Sequence, residues 1–143
     1  MVENEKLRRK GILGIFAALM LIGIFAFKFF FTDPDEKINR EIAEGVKLIN
    51  KSAPVIIDSL YRLDFAAALP ERILQFNYTV LKIEKSEIDT AYLISTAKKL
   101  MIENLKSNPK AALFREYGIR IQSIYKDESG DRICMVEIMH DEY

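Results

Sequence analysis

The longest apolar stretch in the sequence runs from Gly11 to Phe31. At about 1.5 Å per residue, a helix of this length covers roughly 30 Å, which matches the hydrocarbon thickness of a bilayer. A helix satisfies its own backbone polar groups in lipid, as a single extended segment cannot. The pattern therefore predicts a transmembrane helix over residues 11–31, with a basic cytoplasmic tail over residues 1–10 and a domain over residues 33–143.

Charges on the two sides of this run indicate its orientation. The preceding tail is mostly basic, whereas Asp33, Asp35 and Glu36 follow the run. Because positive flanks stay in the cytoplasm, a single-pass anchor in the inner membrane is expected, with its N-terminus inside and its domain outside. A cleaved signal peptide is the alternative. The run is longer than the ~7–15 residues of a signal's apolar region and ends in bulky side chains, which favours an uncleaved signal anchor.

Beyond the run, three segments have apolar residues at helical spacing. The first begins with Asp33 and Pro34, a cap and a first-turn proline, and it ends before Pro54. A longer helix is predicted after Ser86, and a short one follows it and ends at Gly118.

Two other segments alternate with a period of two, as strands do. One predicted hairpin turns near Pro70, with Leu63 and Phe65 on the same face of its first strand. A second hairpin turns at Gly130, and its last strand, residues 132–139, is apolar on both faces. This strand is either central and covered on both sides or covered by a partner. The order α-ββ-αα-ββ predicts an α+β domain with a four-stranded antiparallel sheet and helices mainly on one face.

Composition narrows the possible functions. Residues 33–143 contain 19 acidic and 16 basic residues, without the basic stripe that binding to phosphate backbones requires, so no nucleic-acid partner is expected. Cys134 is the single cysteine, which excludes an intramolecular disulfide and a cysteine metal cage. Neither a metal nor a cofactor is predicted.

No catalytic motif is apparent in the sequence, which has no glycine-rich phosphate loop, no HExxH and no GxSxG. The single histidine, His140, lies near the C-terminus, where a surface position is expected. No catalytic residue is predicted.

Polar residues share one face of the first predicted hairpin. Side chains two residues apart in a strand point the same way, which places Asp58, Arg62 and Asp64 together. Gln75 and Asn77 are expected opposite them on the second strand. These five residues are the candidate binding site. The alternative is a solvated sheet face with Arg62 paired to its acidic neighbours, which keeps both carboxylates ionised and unsuited to act as general acids.

One further set of residues is dispersed along the domain and consists of Asn50, Pro54, Asp58, Arg62, Leu63, Tyr78, Tyr125, Asp127 and Gly130. This set resembles a group of small, uncharacterised bacterial envelope proteins, and the similarity covers residues 50–138. These proteins carry an N-terminal signal or anchor and a compact α+β domain. They often have paired cysteines, which this chain lacks. The resemblance implies location and fold without an activity.

These patterns predict a membrane-anchored extracytoplasmic protein that serves as a non-enzymatic accessory or protein-binding subunit of an envelope complex. Its expected partners are the membrane, through Gly11 to Phe31, and another protein or further copies of itself. A domain that binds a small ligand is the first alternative, and an enzyme is the second.

Overall fold

The computed structural model describes residues 34–143, so the predicted tail and transmembrane helix lie outside the described residues. None of the helices within residues 34–143 is long and apolar enough to cross a membrane. This part of the chain forms three α-helices and one five-stranded sheet.

Helices precede, interrupt and cover the sheet. They are α1 (Pro34–Ser52), α2 (Thr90–Ser107) and α3 (Ala112–Tyr117). The strands are β1 (Val55–Ile56), β2 (Tyr61–Leu69), β3 (Ile73–Val80), β4 (Arg120–Asp127) and β5 (Arg132–Ile138). They lie in the order β1-β2-β3-β4-β5, and every neighbouring pair is antiparallel except β3 and β4, which are parallel.

The α+β class is as predicted, but the prediction of a four-stranded antiparallel sheet is wrong, because the sheet has five strands and is mixed. Both predicted hairpins form, as β2–β3 and β4–β5. They join through a parallel pair because α2 and α3 return the chain to the end of the sheet where β3 began, so that Ile73 pairs with Arg120. The two-residue strand β1 then adds a fifth strand at the outer edge of β2.

The helices and one face of the sheet enclose a single core. Helix α1 packs against β2, and α2 packs against β5. The buried side chains on this face of the sheet alternate along each strand, and they include Leu63, Phe76, Tyr78, Ile121 and Val136. Apolar side chains of α1 and α2 complete the cluster, among them Ile38, Ile42, Ala97, Met101 and Leu105.

Local sequence determines where the helices begin and end. Asp89 caps α2, with its Oδ1 accepting from the Tyr92 N–H at 2.9 Å, so the cap lies three residues after the predicted one at Ser86. Gly118 ends α3 in the left-handed conformation with a φ of 60°, as predicted. Gly130, at a φ of 89°, lies in the β4–β5 turn.

A bulge in β2 changes the face on which the following residues lie. The register shifts between Leu63 and Phe65, so Asp64 is the additional residue. Leu63 is fully buried in the core, whereas Phe65 points to the opposite face and is 46% exposed. The predicted placement of Leu63 and Phe65 on the same face is therefore wrong, because one inserted residue reverses the alternation.

Asn50 covers part of the exposed edge of β2. Its Nδ2 donates to the Ala66 carbonyl at 2.9 Å, and its Oδ1 accepts from the Ala66 N–H at 2.8 Å. β1 pairs only with Arg62 and Leu63, so it does not reach Ala66. The side-chain amide takes the place of a neighbouring strand there, and it satisfies two backbone groups that would otherwise be unpaired.

Candidate functional site

The face of the sheet turned away from the helices is the candidate site, and we call it the open face. Strand register arranges its side chains in rows across the sheet. A mainly basic row contains Arg62, Thr79, Lys126 and Arg132; a largely apolar row contains Phe65, Asn77, Ile124 and Met135; a third row contains Ala67, Gln75, Gln122 and Glu137. Four of the five predicted site residues lie on this face, and Asp58 does not.

Arg62, Asp64 and Thr79 form a closed hydrogen-bonded triangle. The Arg62 Nε donates to Asp64 Oδ1 at 2.6 Å, and its Nη2 donates to Thr79 Oγ1 at 3.2 Å. The Thr79 hydroxyl donates in turn to Asp64 Oδ2 at 2.6 Å. The side chains of Arg62 and Asp64 keep 39% and 25% of their exposure, so the network is fixed in position but reachable from solvent.

Asp58 lies in a different place from the one predicted. It precedes β2, in the connection from β1, and its Oδ1 accepts from the backbone N–H groups of Leu60 and Tyr61 at 2.7 and 2.9 Å. The carboxylate therefore stabilises the turn that starts the strand, as aspartate side chains often do. It is a turn residue, and the expected placement of Asp58 beside Arg62 and Asp64 on one strand face is corrected.

Side-chain amides form a ladder across three strands of the open face. Asn77 Nδ2 donates to Gln75 Oε1 at 3.3 Å, Gln75 Nε2 donates to Gln122 Oε1 at 2.9 Å, and Gln122 Nε2 donates to Glu137 Oε1 at 2.8 Å. An ionised carboxylate only accepts hydrogen bonds, so Glu137 sets the direction of every amide in the series. Gln75 and Asn77 thus lie together as predicted. The contribution of Gln122 and Glu137 could not be predicted without knowing that β4 lies beside β3.

Apolar side chains lie between and beside these polar groups. Phe65 is 46% exposed, and Ile56 of β1, which pairs with Arg62, is 61% exposed. Ile124 and Met135 are half-buried in the row of Phe65, and neither belongs to the core cluster of the described residues. Exposed apolar groups that are rimmed by polar ones are typical of a surface that contacts another molecule.

The open face carries more basic than acidic side chains. Arg62, Lys126 and Arg132 form one row, whereas the carboxylates named on this face are Glu137 in the third row and Asp64 at the bulge. This balance contrasts with the acidic excess of residues 33–143. The charge of the open face therefore favours an acidic partner over a basic one.

The last strand is not the central strand that was one of its two predicted alternatives. β5 lies at the edge of the sheet, where Cys134, Val136 and Ile138 face the core and Met135 faces outward. Burial raises the pKa of the Cys134 thiol to about 11, so the thiolate, which is the reactive form, is scarce at neutral pH. Cys134 acts as a small apolar core residue.

No protein-family model and no curated protein matches the chain. Its fold is similar to that of a candidate secreted protein from Pseudomonas aeruginosa, with a TM-score of 0.60, 9% identity and coverage of 79% of this chain and 98% of that one. It is also similar to the type 2 secretion system pilotin EpsS from Vibrio vulnificus, with a TM-score of 0.59, 9% identity and coverage of 75% and 92%.

A third similar fold is the type II secretion system pilotin AspS from Vibrio cholerae, with a TM-score of 0.56, 9% identity and coverage of 76% and 94%. At this identity the likeness establishes the fold alone. In that coarse form, the expected resemblance to compact α+β proteins of the bacterial envelope is confirmed.

Proposed function

We propose that residues 33–143 form an extracytoplasmic accessory domain that binds a protein partner through the open face, on a chain anchored in the inner membrane by residues 11–31. The observation that carries this proposal is the combination of exposed apolar side chains, led by Phe65 and Ile56, with polar groups already held in hydrogen-bonded networks. Preorganised polar groups lose less freedom on binding, so they favour a specific contact.

The fold comparison supports an accessory role. Two of the similar structures are pilotins of type II secretion systems, and the third is a candidate secreted protein, so all three names refer to bacterial export or the envelope. None of the three names denotes an enzyme. A protein-binding accessory domain is the function that agrees with both this likeness and the open face.

The partner segment is expected to be amphipathic, with apolar side chains bordered by acidic ones. The apolar row of Phe65, Ile124 and Met135 lies beside the basic row that ends in Lys126 and Arg132. A bound segment can place apolar side chains on the first row and carboxylates against the second. Charge complementarity of this kind contributes to the association rate and to partner choice.

Site-specific photocrosslinking in the native host's membranes tests the proposal. A photoreactive residue at Phe65 or Met135 should crosslink to one protein, and the attached peptide should be apolar and acidic. The same residue at Lys99, which is exposed on α2, is the matched control and should give no such product. Arg132→Glu should lower the crosslinking yield several-fold because it reverses a surface charge. High salt should lower the yield to a similar extent because it screens such charges.

Three results would overturn the proposal: equal crosslinking from Lys99, a crosslinked peptide without acidic residues, or a yield unaffected by Arg132→Glu. Arg132 is exposed, so its substitution leaves the fold intact and the last result has a clear meaning.

A further inference from the structure

A shallow depression lies at one end of the sheet, away from the Arg62 network. It has a volume of about 410 Å³, and it is bounded by the β2–β3 turn, the α3–β4 connection and the residues after β5. We call it the basic depression. Its lining residues are Glu71, Arg72, Gly118, Arg120, Met139 and His140.

The two arginines of the basic depression are anchored by the backbone around it. The Arg72 Nη1 donates to the Tyr117 carbonyl at 2.8 Å, which joins the β2–β3 turn to the end of α3. The Arg120 N–H donates to the Arg72 carbonyl at 2.9 Å. The Arg72 guanidinium group and the backbone of Arg120 are thus fixed side by side by contacts that do not use an external ligand.

One carboxylate of the chain already occupies this site. The Arg120 Nη2 donates to Glu71 Oε2 at 2.6 Å, and the Arg120 side chain is only 20% exposed. The Glu71 side chain, in contrast, is 80% exposed. Because the Glu71 side of this ion pair is exposed, water competes for it, and another carboxylate can take the place of Glu71 on the largely covered guanidinium group of Arg120.

Two residues of the β2–β3 turn have a backbone conformation that is unusual for their residue types. Glu71 and Arg72 have φ angles of 62° and 59°, in the left-handed region where residues other than glycine, asparagine and aspartate are uncommon. Turn geometry therefore does not explain a glutamate and an arginine here. Their position over the depression offers an explanation, because it places an acceptor and a cation beside Arg120.

Gly118 brings the imidazole of His140 close to the backbone of the depression. A Cβ at Gly118 would lie 3.6 Å from the His140 ring, so the ring lies against this glycine. The imidazole adds a hydrogen-bonding group to the two guanidinium groups, and a planar carboxylate accepts from such donors through both of its oxygens.

We propose that the basic depression binds a carboxylate group and that Glu71 occupies the site until that group arrives. The lining contains two arginines against one glutamate, so displacement of Glu71 leaves two cations for the incoming anion. The site does not depend on the protein-binding role of the open face. Its carboxylate comes either from the C-terminus of a peptide or from a small organic acid, which share this chemistry.

NMR titration of the ¹⁵N-labelled full chain in detergent micelles tests the site, at constant ionic strength maintained with chloride. The probes are sodium acetate, acetyl-trialanine with a free C-terminus, and the same peptide with an amidated C-terminus. We expect saturable shifts at Gly118 and His140 with acetate and the free peptide, and none with the amide. Tighter binding of the free peptide than of acetate assigns the site to peptide termini; the reverse assigns it to small acids.

Two variants and one control make the result specific. Arg120→Gln should weaken binding by at least about tenfold, because a charge-assisted hydrogen bond is lost. Glu71→Gln should strengthen it several-fold, since the competing carboxylate is removed, and this exposed substitution does not threaten folding. Lys99→Gln, which removes an exposed cation of α2, should change nothing. Shifts that do not saturate, unaltered affinity in Glu71→Gln, or tighter binding of inorganic phosphate than of acetate would each overturn the proposal.

Discussion

Asp64 accepts a 2.6 Å hydrogen bond from Arg62, a residue only two positions before it on the same strand. Asp64 is the bulge residue of β2. Its second oxygen accepts from Thr79 of β3, so the same carboxylate joins the bulge to the neighbouring strand. The bulge therefore does two things at once: it turns Phe65 out of the core, and it builds the polar network beside it.

Arg62→Ala separates a structural role for this network from a binding role. Exposed ion pairs contribute about 0–1 kcal/mol, and the Arg62 side chain is 39% exposed, so the melting temperature of the full chain should change little. Crosslinking of the partner to Phe65 should fall, because an anchored arginine on a rigid strand is a preorganised contact.

Thermal unfolding followed by circular dichroism and the crosslinking yield are measured together on the same variant. Lys99→Ala, on the exposed side of α2, is the control for both. Unchanged values of both in Arg62→Ala would leave this network without a role beyond solubility.

Asn50→Ala should lower the free energy of unfolding more than the substitution of any side chain on the open face. Asn50 makes two hydrogen bonds with Ala66, which is only 2% exposed. Its removal leaves a backbone N–H and C=O without partners at a strand edge, and each such group costs about 1–3 kcal/mol where water cannot reach it. Lys51→Ala, the next residue along α1 and an exposed one, should stay within about 0.5 kcal/mol of the parent chain.

Urea unfolding of the full chain measures both variants. A midpoint for Asn50→Ala equal to that for Lys51→Ala would show that solvent or a rearranged β1 replaces the side-chain amide.

The fold class and the local elements could be predicted from the sequence, because they depend on short-range patterns. The glycine at the end of α3 and the two hairpins are examples, since periodicity and turn residues determine them within a few positions. The joining of the hairpins could not be predicted. Nothing local in β3 or β4 specifies that Gln75 lies beside Gln122, because that contact depends on how α2 and α3 cross the sheet.

In the candidate site too, local arrangements could be predicted from the sequence. Arg62, Asp64, Gln75 and Asn77 lie on one face because alternation within a hairpin is local. The separation of Asp58 and the exposure of Phe65 were missed, because a one-residue bulge and an aspartate turn leave no mark on hydrophobic periodicity.

The stability of the fold should decline steeply at alkaline pH, because several buried tyrosine and cysteine side chains have raised pKa values. Burial raises the pKa of Tyr61 to about 12, from 10, and that of Cys134 to about 11, from 9. The pKa values of Tyr78 and Tyr125 are also raised by burial. A group with a higher pKa in the folded state favours folding below its unfolded pKa. This contribution is lost as the pH rises through the folded value, here between about pH 9 and 12.

Reaction of Cys134 with a thiol reagent reports the same transition. The folded full chain should react slowly at pH 8 and progressively faster toward pH 11, whereas chain unfolded in urea should react quickly at pH 8. Tyr61→Phe removes one of the late titrations and should move the alkaline loss of stability to higher pH. Rapid modification of the folded chain at pH 8 would contradict the burial of the thiol.

The anchor and its orientation are the last prediction, and they rest on the sequence of residues 1–36. The basic tail, the apolar run from Gly11 to Phe31 and the acidic flank together predict a C-terminus outside the cytoplasm. Alkaline phosphatase fused after Tyr143 should be active, because it matures only in an oxidising compartment, and green fluorescent protein exported unfolded to the same place should be dark. Replacing the four basic residues of the tail by glutamate should weaken or reverse this orientation, since the lysine and arginine residues beside the run direct it. A bright fluorescent fusion on the parent chain would mean that the domain faces the cytoplasm. Mass spectrometry of the membrane-bound protein then distinguishes an uncleaved anchor, which retains the tail, from a signal removed near Thr32.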